Sequence, residues 1–388
     1  MSLLRFCLLP LLLLACSNAQ QPSVTNPPAQ GDVEWPTASL RETGFDVEKM
    51  QRLTQRLESG WHHNAHMVLV EYDGKLVYEK YLAGEDQNWG DPVGHREFDA
   101  DSLHDLRSVS KSVTALLLGI ALGGDFEAAL AKPVIDYFPE FRSEITPGAE
   151  KITLHQVLTM STGLDWNEMD VPYSNRDNDE IQMYYQADPV QYLLQKPLVH
   201  EPGEYWYYNG GTTMLLAALV EKISGQPFIE FARDKLAQPL GISKADVEWR
   251  GLGIWSKRRS LPSAASGLRA RGRDLAKIGS LMLHQGRWQG RQVVPPAWVE
   301  VSSRRHMEQT KSGWSLDGIY GYGYQWWHGN FRGEYGEFTA VTAVGYGGQR
   351  VFVIPGKNMV VTILAGNYGN GIWRMSEQVV AEIVTAAP

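Results

Sequence analysis

Ser108 and Lys111 stand three positions apart in Ser108-Val109-Ser110-Lys111, and the segment runs directly into Ser112-Val113-Thr114-Ala115-Leu116-Leu117-Leu118-Gly119-Ile120. A serine and a lysine at i and i+3 share one face of a helix. At the head of an apolar helix an ammonium meets the positive end of the dipole and loses hydration, and both disfavour its charge. Lys111 could therefore act as a neutral base towards the Ser108 hydroxyl. The Ser108 N–H, unused by the helix ladder, could donate to an oxyanion. The tetrad alone is weak, since a chain of 388 residues holds roughly one by chance. In isolation the same residues read first as an N-capping serine beside a solvated lysine.

Two further segments could complete such chemistry. Tyr207-Tyr208-Asn209 follows Glu201-Pro202-Gly203-Glu204-Tyr205-Trp206 and precedes a helix start at Gly210-Gly211-Thr212-Thr213-Met214. Read as Y-x-N, it offers Tyr207 as a phenol that relays a proton between Ser108, Lys111 and a leaving group. The pattern recurs at Tyr173-Ser174-Asn175 and Tyr368-Gly369-Asn370, and packing aromatics are the alternative. Gly345-Tyr346-Gly347-Gly348-Gln349 at a strand edge would let a substrate lie against backbone N–H groups, or form an ordinary bulge or hairpin turn. No G-x-S-x-G elbow and no G-x-x-x-x-G-K-[ST] loop occurs. The one histidine cluster, His62-His63-Asn64-Ala65-His66, lacks H-E-x-x-H spacing, and no metal site is expected from it.

The elements that must hold these residues follow from periodicity. Met50, Leu53 and Leu57 recur at helical spacing behind a capping Asp46. Two β-rich runs, 66–72 and 75–81, flank Asp73-Gly74, a hairpin signal. From Ser108 to about Gly286 the pattern is mostly helical. Strands return at 321–328, 338–346, 349–354 and 359–365, with a turn at Pro355-Gly356-Lys357-Asn358 and a last helix from about Ile372 to Thr385. Strands at both ends and helices between them predict one antiparallel sheet built from both chain ends, flanked by terminal helices, with a helical lobe inserted.

Composition excludes several classes. Lys+Arg 36 against Asp+Glu 44 gives a net charge of −8, and without basic runs the chain is a poor nucleic-acid binder. Its two cysteines, Cys7 and Cys16, lie at the N-terminus, so no disulfide scaffold or cysteine-ligated metal is expected in the folded body. Arg5 precedes an apolar run of signal-peptide length that ends in Leu13-Leu14-Ala15-Cys16, a lipobox-like sequence. Residues 1–15 are read as a lipoprotein signal, with Cys16 lipidated, in preference to secretory cleavage near Ala19. Residues 16–41, rich in Pro, Gln and Asn at their start, are read as a flexible tether. The expected location is the bacterial cell envelope, lipid-anchored on a periplasmic membrane face.

Taken in order, the motifs resemble the serine β-lactamase-related hydrolases, a family that includes class C β-lactamases, penicillin-binding DD-peptidases, family VIII esterases and aminohexanoate-oligomer hydrolases. The resemblance runs from about Gly44 to the C-terminus. It is carried by Arg107-Ser108-Val109-Ser110-Lys111-Ser112, by Ile152 to Leu164, by Pro202 to Gly225, by Gly267 to Ala276, and by Tyr322-Gly323-Tyr324-Gln325-Trp326-Trp327. It implies an α/β (α+β) fold of the β-lactamase/DD-peptidase type over residues 42–388, with a sheet lobe at about 42–102 and 290–388 and a helical lobe at about 103–289. It also implies Ser108 as nucleophile, Lys111 and Tyr207 as general base and acid, and an oxyanion hole of the Ser108 and Tyr346 N–H groups. Gly347 and Asn209 would then touch substrate, with no metal or organic cofactor.

One departure matters. Where β-lactamases and DD-peptidases carry Lys-Thr-Gly, this chain has Gly345-Tyr346-Gly347 and no lysine. Arg350 could substitute, although it reads as an exposed strand arginine. The departure favours a small-molecule ester, amide or peptide-like substrate over a β-lactam, with specificity set by loops such as Met169 to Gln186. A DD-carboxypeptidase or β-lactamase, and a non-catalytic envelope binding protein, are the alternatives. A monomer or weak oligomer is expected.

Overall fold

The computed structural model describes residues 35–124, 126–251, 261–308, 319–333, 336–369, 372 and 374–388. The proposed signal, Cys16 and most of the tether lie outside the described residues. In chain order the N-terminal part comprises α1 (Val47–Glu58), β1 (Ala65–Tyr72), β2 (Lys75–Tyr81), β3 (Ala83–Asn88), β4 (Asp91–Glu97) and β5 (Leu103–Asp105). The middle holds α2 (Val109–Leu122), α3 (Phe126–Ala131), α4 (Leu154–Leu158), α5 (Asp179–Tyr184), α6 (Pro189–Leu194), α7 (Gly210–Ser224) and α8 (Phe228–Ala232). Then come β6 (Glu248–Trp249), β7 (Leu268–Arg271), α9 (Gly272–Leu283), β8 (Arg287–Trp288), β9 (Arg291–Gln292) and α10 (Pro296–Ser302). The C-terminal part is β10 (Met307–Glu308), β11 (Ile319–Tyr322), β12 (Trp327–Gly333), β13 (Gly336–Gly345), β14 (Gln349–Ile354), β15 (Met359–Ala365) and α11 (Met375–Ala386).

The eight-stranded sheet runs β10-β11-β12-β13-β14-β15-β1-β2. All its pairings are antiparallel, and β1 joins the C-terminal strands through β15, with Val68 opposite Ile363. The two chain ends thus close one sheet, as the pattern predicts. Side chains alternate across it. Val68, Val70, Phe352, Val361 and Ile363 face a core shared with Met50, Leu53 and Leu57 of α1 and Val379, Val380 and Ile383 of α11. Met67, Leu69, Val351, Val353 and Val360 face the other core, with Leu275 and Ile278 of α9 and the helices of the middle segment. Covered faces on both sides explain the near-continuous apolar runs of β14 and β15.

Two details differ from the pattern. The sequence reading extends the helical lobe to about residue 289, but α9 lies against the sheet: a Cβ at Gly279 would stand 2.6 Å from Val360 and 2.7 Å from Val351. The expected strand 321–328 is two strands, broken by a turn in which Gln325 adopts φ 62°. Gly323 N–H closes this turn on the Trp326 carbonyl at 2.7 Å. The Gln325 side chain turns inward, donating to the Leu158 carbonyl and accepting from Thr213, so it locks sheet to helices.

Candidate active site

Ser108 opens α2 but does not cap it. No side-chain capping bond forms; instead Lys111 Nζ donates to Ser108 Oγ at 3.2 Å and to the Ala265 carbonyl at 3.1 Å. The capping alternative is thereby replaced by a serine–lysine pair on one helix face. The turn that delivers Ser108 is unusual: Arg107 sits at φ 50°, a region costly for a residue with a Cβ. It is held there by an ion pair with Asp105 at 3.2 Å, a hydrogen bond to Gln87, and its guanidinium 5.0 Å over the Tyr368 ring. Deeper in α2, Ser112 donates to the Gln325 carbonyl and Thr114 to that of Ala264, which fixes the helix against both lobes.

The tyrosine of the site is Tyr208, not Tyr207. Tyr207 donates its hydroxyl to Asp170 Oδ2 at 2.9 Å on the exterior, while its ring stacks on Tyr205. Tyr208 is buried, its ring lies 4.8 Å from Lys111 Nζ, and its phenol hydrogen-bonds to Ser108 and Lys111. The reason is the extended backbone before α7, in which successive side chains point to opposite sides. Trp206 and Tyr208 face in; Tyr205 and Tyr207 face out. Asn209 is likewise corrected: its side chain accepts from Thr212 N–H at 3.1 Å and caps α7. It lines a neighbouring hollow with Tyr207 and Asp170 rather than the cavity over Ser108.

Beneath Lys111 lie two carboxylates that the sequence reading did not single out. Glu168 accepts from Trp166 Nε1 at 2.8 Å, from Tyr173 at 2.9 Å and from Gly210 N–H at 2.6 Å. Glu180 accepts from Ser266 at 3.2 Å and from Tyr184, and the two carboxyls hydrogen-bond to each other. Burial and the neighbouring Glu180 push Glu168 up to about 8. Burial also opposes Glu180, but Lys111 and the hydrogen bonds it receives outweigh this, so it lies below the usual range. The pair thus shares one proton at neutral pH. Burial alone would strip Lys111 of its charge; Tyr208, Glu180 and Glu168 together reverse this and hold its pKa above the ordinary value. This runs against the expectation of a neutral Lys111: burial is outweighed first by Tyr208 and then by Glu180 of α5 and Glu168. Tyr208 is pushed up by burial and pulled back by Lys111, with a net rise.

Ser108 and Tyr208 border a cavity of about 280 Å³ whose opposite wall is Val344, Gly345, Tyr346, Gly347 and Gly348, with Trp327, Asn367 and Gly369. Tyr346, Tyr173 and Ile372 are exposed hydrophobics at its margin. The glycines are required. A Cβ at Gly345 would stand 2.4 Å from the Leu106 carbonyl oxygen, so the wall lies directly against the turn that carries Ser108. Gly347, at φ 93°, would set a Cβ 2.4 Å from the Tyr368 ring. The loop is braced by Asn367 N–H on the Gly347 carbonyl, Ser376 on that of Gly348, and Gln349 Nε2 on that of Tyr346. Arg350 is buried rather than exposed: Glu377 pairs with it at 2.9 Å and it donates to the Gly345 and Gln349 carbonyls. Of the tryptophans near these motifs, Trp327 lines the cavity, whereas Trp206 and Trp326 are core residues.

Comparison with known proteins agrees with this architecture. Residues 52–383 match the family model described as Beta-lactamase. The chain is 29% identical over 338 residues to 6-aminohexanoate-dimer hydrolase of Paenarthrobacter ureafaciens, covering 82% of this chain and 76% of that protein. It is 31% identical over 219 residues to Esterase EstB of Burkholderia gladioli, covering 53% and 54%. Among solved structures, a family VIII carboxylesterase superposes with a TM-score of 0.63 at 16% identity, covering 91% of this chain and 98% of that one. A penicillin-binding protein homologue from Caulobacter crescentus gives 0.64 at 18% identity, covering 88% and 96%. These superpositions carry the fold, and the family match spans most of the sequence. The chain belongs to the beta-lactamase family and is a hydrolase of that family.

Proposed function

We propose that the protein hydrolyses uncharged esters or linear amides through an acyl-enzyme on Ser108. The observation that carries this reading is the buried Ser108–Lys111–Tyr208 cluster opening onto a cavity whose far wall is apolar side chains and backbone. Ser108 Oγ attacks the carbonyl carbon and its proton passes to Tyr208. Tyr208 takes this proton as its phenolate, the form whose share the Lys111 ammonium increases by stabilising the negative oxygen. The developing oxyanion is met by the N–H groups of Ser108, at the helix start, and Tyr346. Tyr208 returns the proton to the leaving oxygen or nitrogen, and water then attacks the ester on Ser108 with the same groups in reverse. The names of the two relatives, a hydrolase of an aminohexanoate dimer and an esterase, support the bond class, a linear amide or an ester.

Labelling with a fluorophosphonate, followed by peptide mass analysis, tests the nucleophile: a single adduct on Ser108 with p-nitrophenyl butyrate turnover is expected. Absence of an adduct together with absence of turnover would return the chain to a binding role. We further propose that Cys16 carries the lipid anchor at the cell envelope, on the strength of Leu13-Leu14-Ala15-Cys16 and the polar segment after it. Among the described residues no helix is long and apolar enough to cross a membrane. An acylated N-terminal Cys16 in the intact mass supports the anchor, and a mature start at Gln20 without acyl mass refutes it.

A further inference from the structure

Four residues before Ser108, β5 carries His104, which is completely buried, and two other buried side chains converge on it. His66 comes from β1 and Asp86 from β3. His66 Nδ1 lies 2.9 Å from His104 Nε2, and Asp86 Oδ1 lies 3.8 Å from the same nitrogen. One ligand-capable atom from each of the three falls within 4.8 Å of the others. None of the three lines the cavity over Ser108.

Proton accounting makes this cluster unusual. The Asn64 amide is oriented by two bonds to one residue: Nδ2 donates to the Glu85 carbonyl at 2.9 Å, and Oδ1 accepts from Glu85 N–H at 2.9 Å. Oδ1 therefore faces His66 Nε2, 3.1 Å away, as an acceptor. Nε2 must carry the ring proton, which leaves His66 Nδ1 as a lone pair. On the other ring, His104 Nδ1 faces the Asp105 carbonyl at 2.9 Å and must carry its proton, which leaves Nε2 as a lone pair. Two lone pairs thus confront each other at 2.9 Å with no hydrogen between them. Asp86 Oδ1, buried and without a hydrogen-bond partner, adds a third.

Arg96 pairs with the other carboxylate oxygen, Asp86 Oδ2, at 3.3 Å, which leaves Oδ1 and the two imidazole lone pairs converging with no donor among them. We propose that His66, His104 and Asp86 form a structural site for one divalent transition-metal ion, with Zn²⁺ the best match to two imidazoles and a carboxylate. Ligands about 2.0–2.1 Å from a tetrahedral ion stand roughly 3.4 Å apart, and the separations of 2.9 Å and 3.8 Å bracket that value. The outer hydrogen bonds already match those of metal-binding histidines, each ring giving its other N–H to a carbonyl oxygen. A shared proton is the competing cation. It would bridge the two rings but leave Asp86 Oδ1 at 3.8 Å without a partner, whereas a metal ion reaches all three. The site ties β1 and β3 to β5, the strand that leads into the Arg107 turn, and its role is to hold that strand.

The test uses the purified full chain, stripped with a chelator and passed through gel filtration. Titration with Zn²⁺ is expected to give one ion per chain, with a higher unfolding temperature. Co²⁺ is expected to give visible ligand-field bands that Zn²⁺ displaces. Asp86→Asn is expected to weaken Zn²⁺ binding at least tenfold, while His63→Ala, a neighbouring histidine outside the cluster, leaves it unchanged. The wild-type measurements alone decide the matter should the Asp86 variant misfold. No stoichiometric Zn²⁺ with a featureless Co²⁺ spectrum overturns the proposal, as does a folded Asp86→Asn variant with unchanged affinity.

Discussion

The cavity has two walls of opposite character. On the helical side, Ser108, Lys111 and Tyr208 sit on a buried network of Glu168 and Glu180, with charge compensated below the surface that a substrate would meet. On the sheet side, Val344 to Gly348 and Trp327 offer carbon and backbone, and the arginine among the described residues there, Arg350, is tied to Glu377. In the proposed mechanism, charge moves protons at one wall and is withheld from recognition at the other. A substrate that brings its own carboxylate finds no uncommitted cation among the described lining residues, while a neutral acyl group loses nothing on entering.

The largest effect should come from the helical wall. Lys111→Ala removes the cation that makes the phenol an acceptor, and single-turnover acylation should fall by at least about 10⁴-fold. Retention of a rate within tenfold of wild type would show that another group accepts the proton. Next, Tyr208→Phe should lower kcat/KM by about 10²–10⁴-fold, whereas Tyr207→Phe should change it less than about threefold, since its hydroxyl contacts Asp170 on the exterior. A reversal of these two results would restore Tyr207 as the catalytic tyrosine.

The sheet wall gives a smaller difference. Short-chain p-nitrophenyl esters should exceed penicillins by at least about tenfold in kcat/KM, because a charge-assisted hydrogen bond worth about 1.5–3 kcal/mol has no donor free to make it. Rapid nitrocefin hydrolysis alongside negligible butyrate ester hydrolysis would contradict the contrast between walls. The finest effect concerns pH. The phenol's pKa is raised, so below it the phenolate fraction, and with it kcat/KM, should climb with pH. Glu168 ionises at about 8 and adds negative charge beside Tyr208, which holds the phenol proton more tightly and flattens the climb above that pH. Glu168→Gln stays neutral, and its profile should keep rising where wild type levels off, by about threefold at one unit above. Superimposable profiles would remove Glu168 from the proton balance.

Much of this was legible in the residues. The hairpin at Asp73-Gly74, the α1 cap at Asp46, the strands from both ends and the Ser108–Lys111 pairing all follow from local spacing. What spacing could not give was the company each residue keeps. The Y-x-N pattern selects Tyr207, yet the extended backbone before α7 points every second side chain inward, and the buried Trp206 marks Tyr208 as its companion. That alternation was the available signal. The helix around Lys111 argues for a neutral amine, but Tyr208, Glu180 and Glu168, brought in by the fold from distant positions, favour its charge. Arg350 read as a surface strand residue because Glu377, its partner, lies on α11. His66 sits in a local histidine cluster by sequence, while the imidazole its ring nitrogen meets, His104, lies 38 residues on.

Gly345 sets a limit on what this enzyme can become. Its missing side chain is the room occupied by the Leu106 carbonyl, two residues before Ser108, the proposed nucleophile. A lineage adding a lysine there, to gain the grip on a carboxylate that β-lactam hydrolysis rewards, would push on the backbone that aims Ser108. Each step towards the new substrate would therefore lower the old activity before the new one could be selected. The route to antibiotic resistance through this position is a descent before it is a climb, and a coordinated change in the 105–107 turn would have to come first.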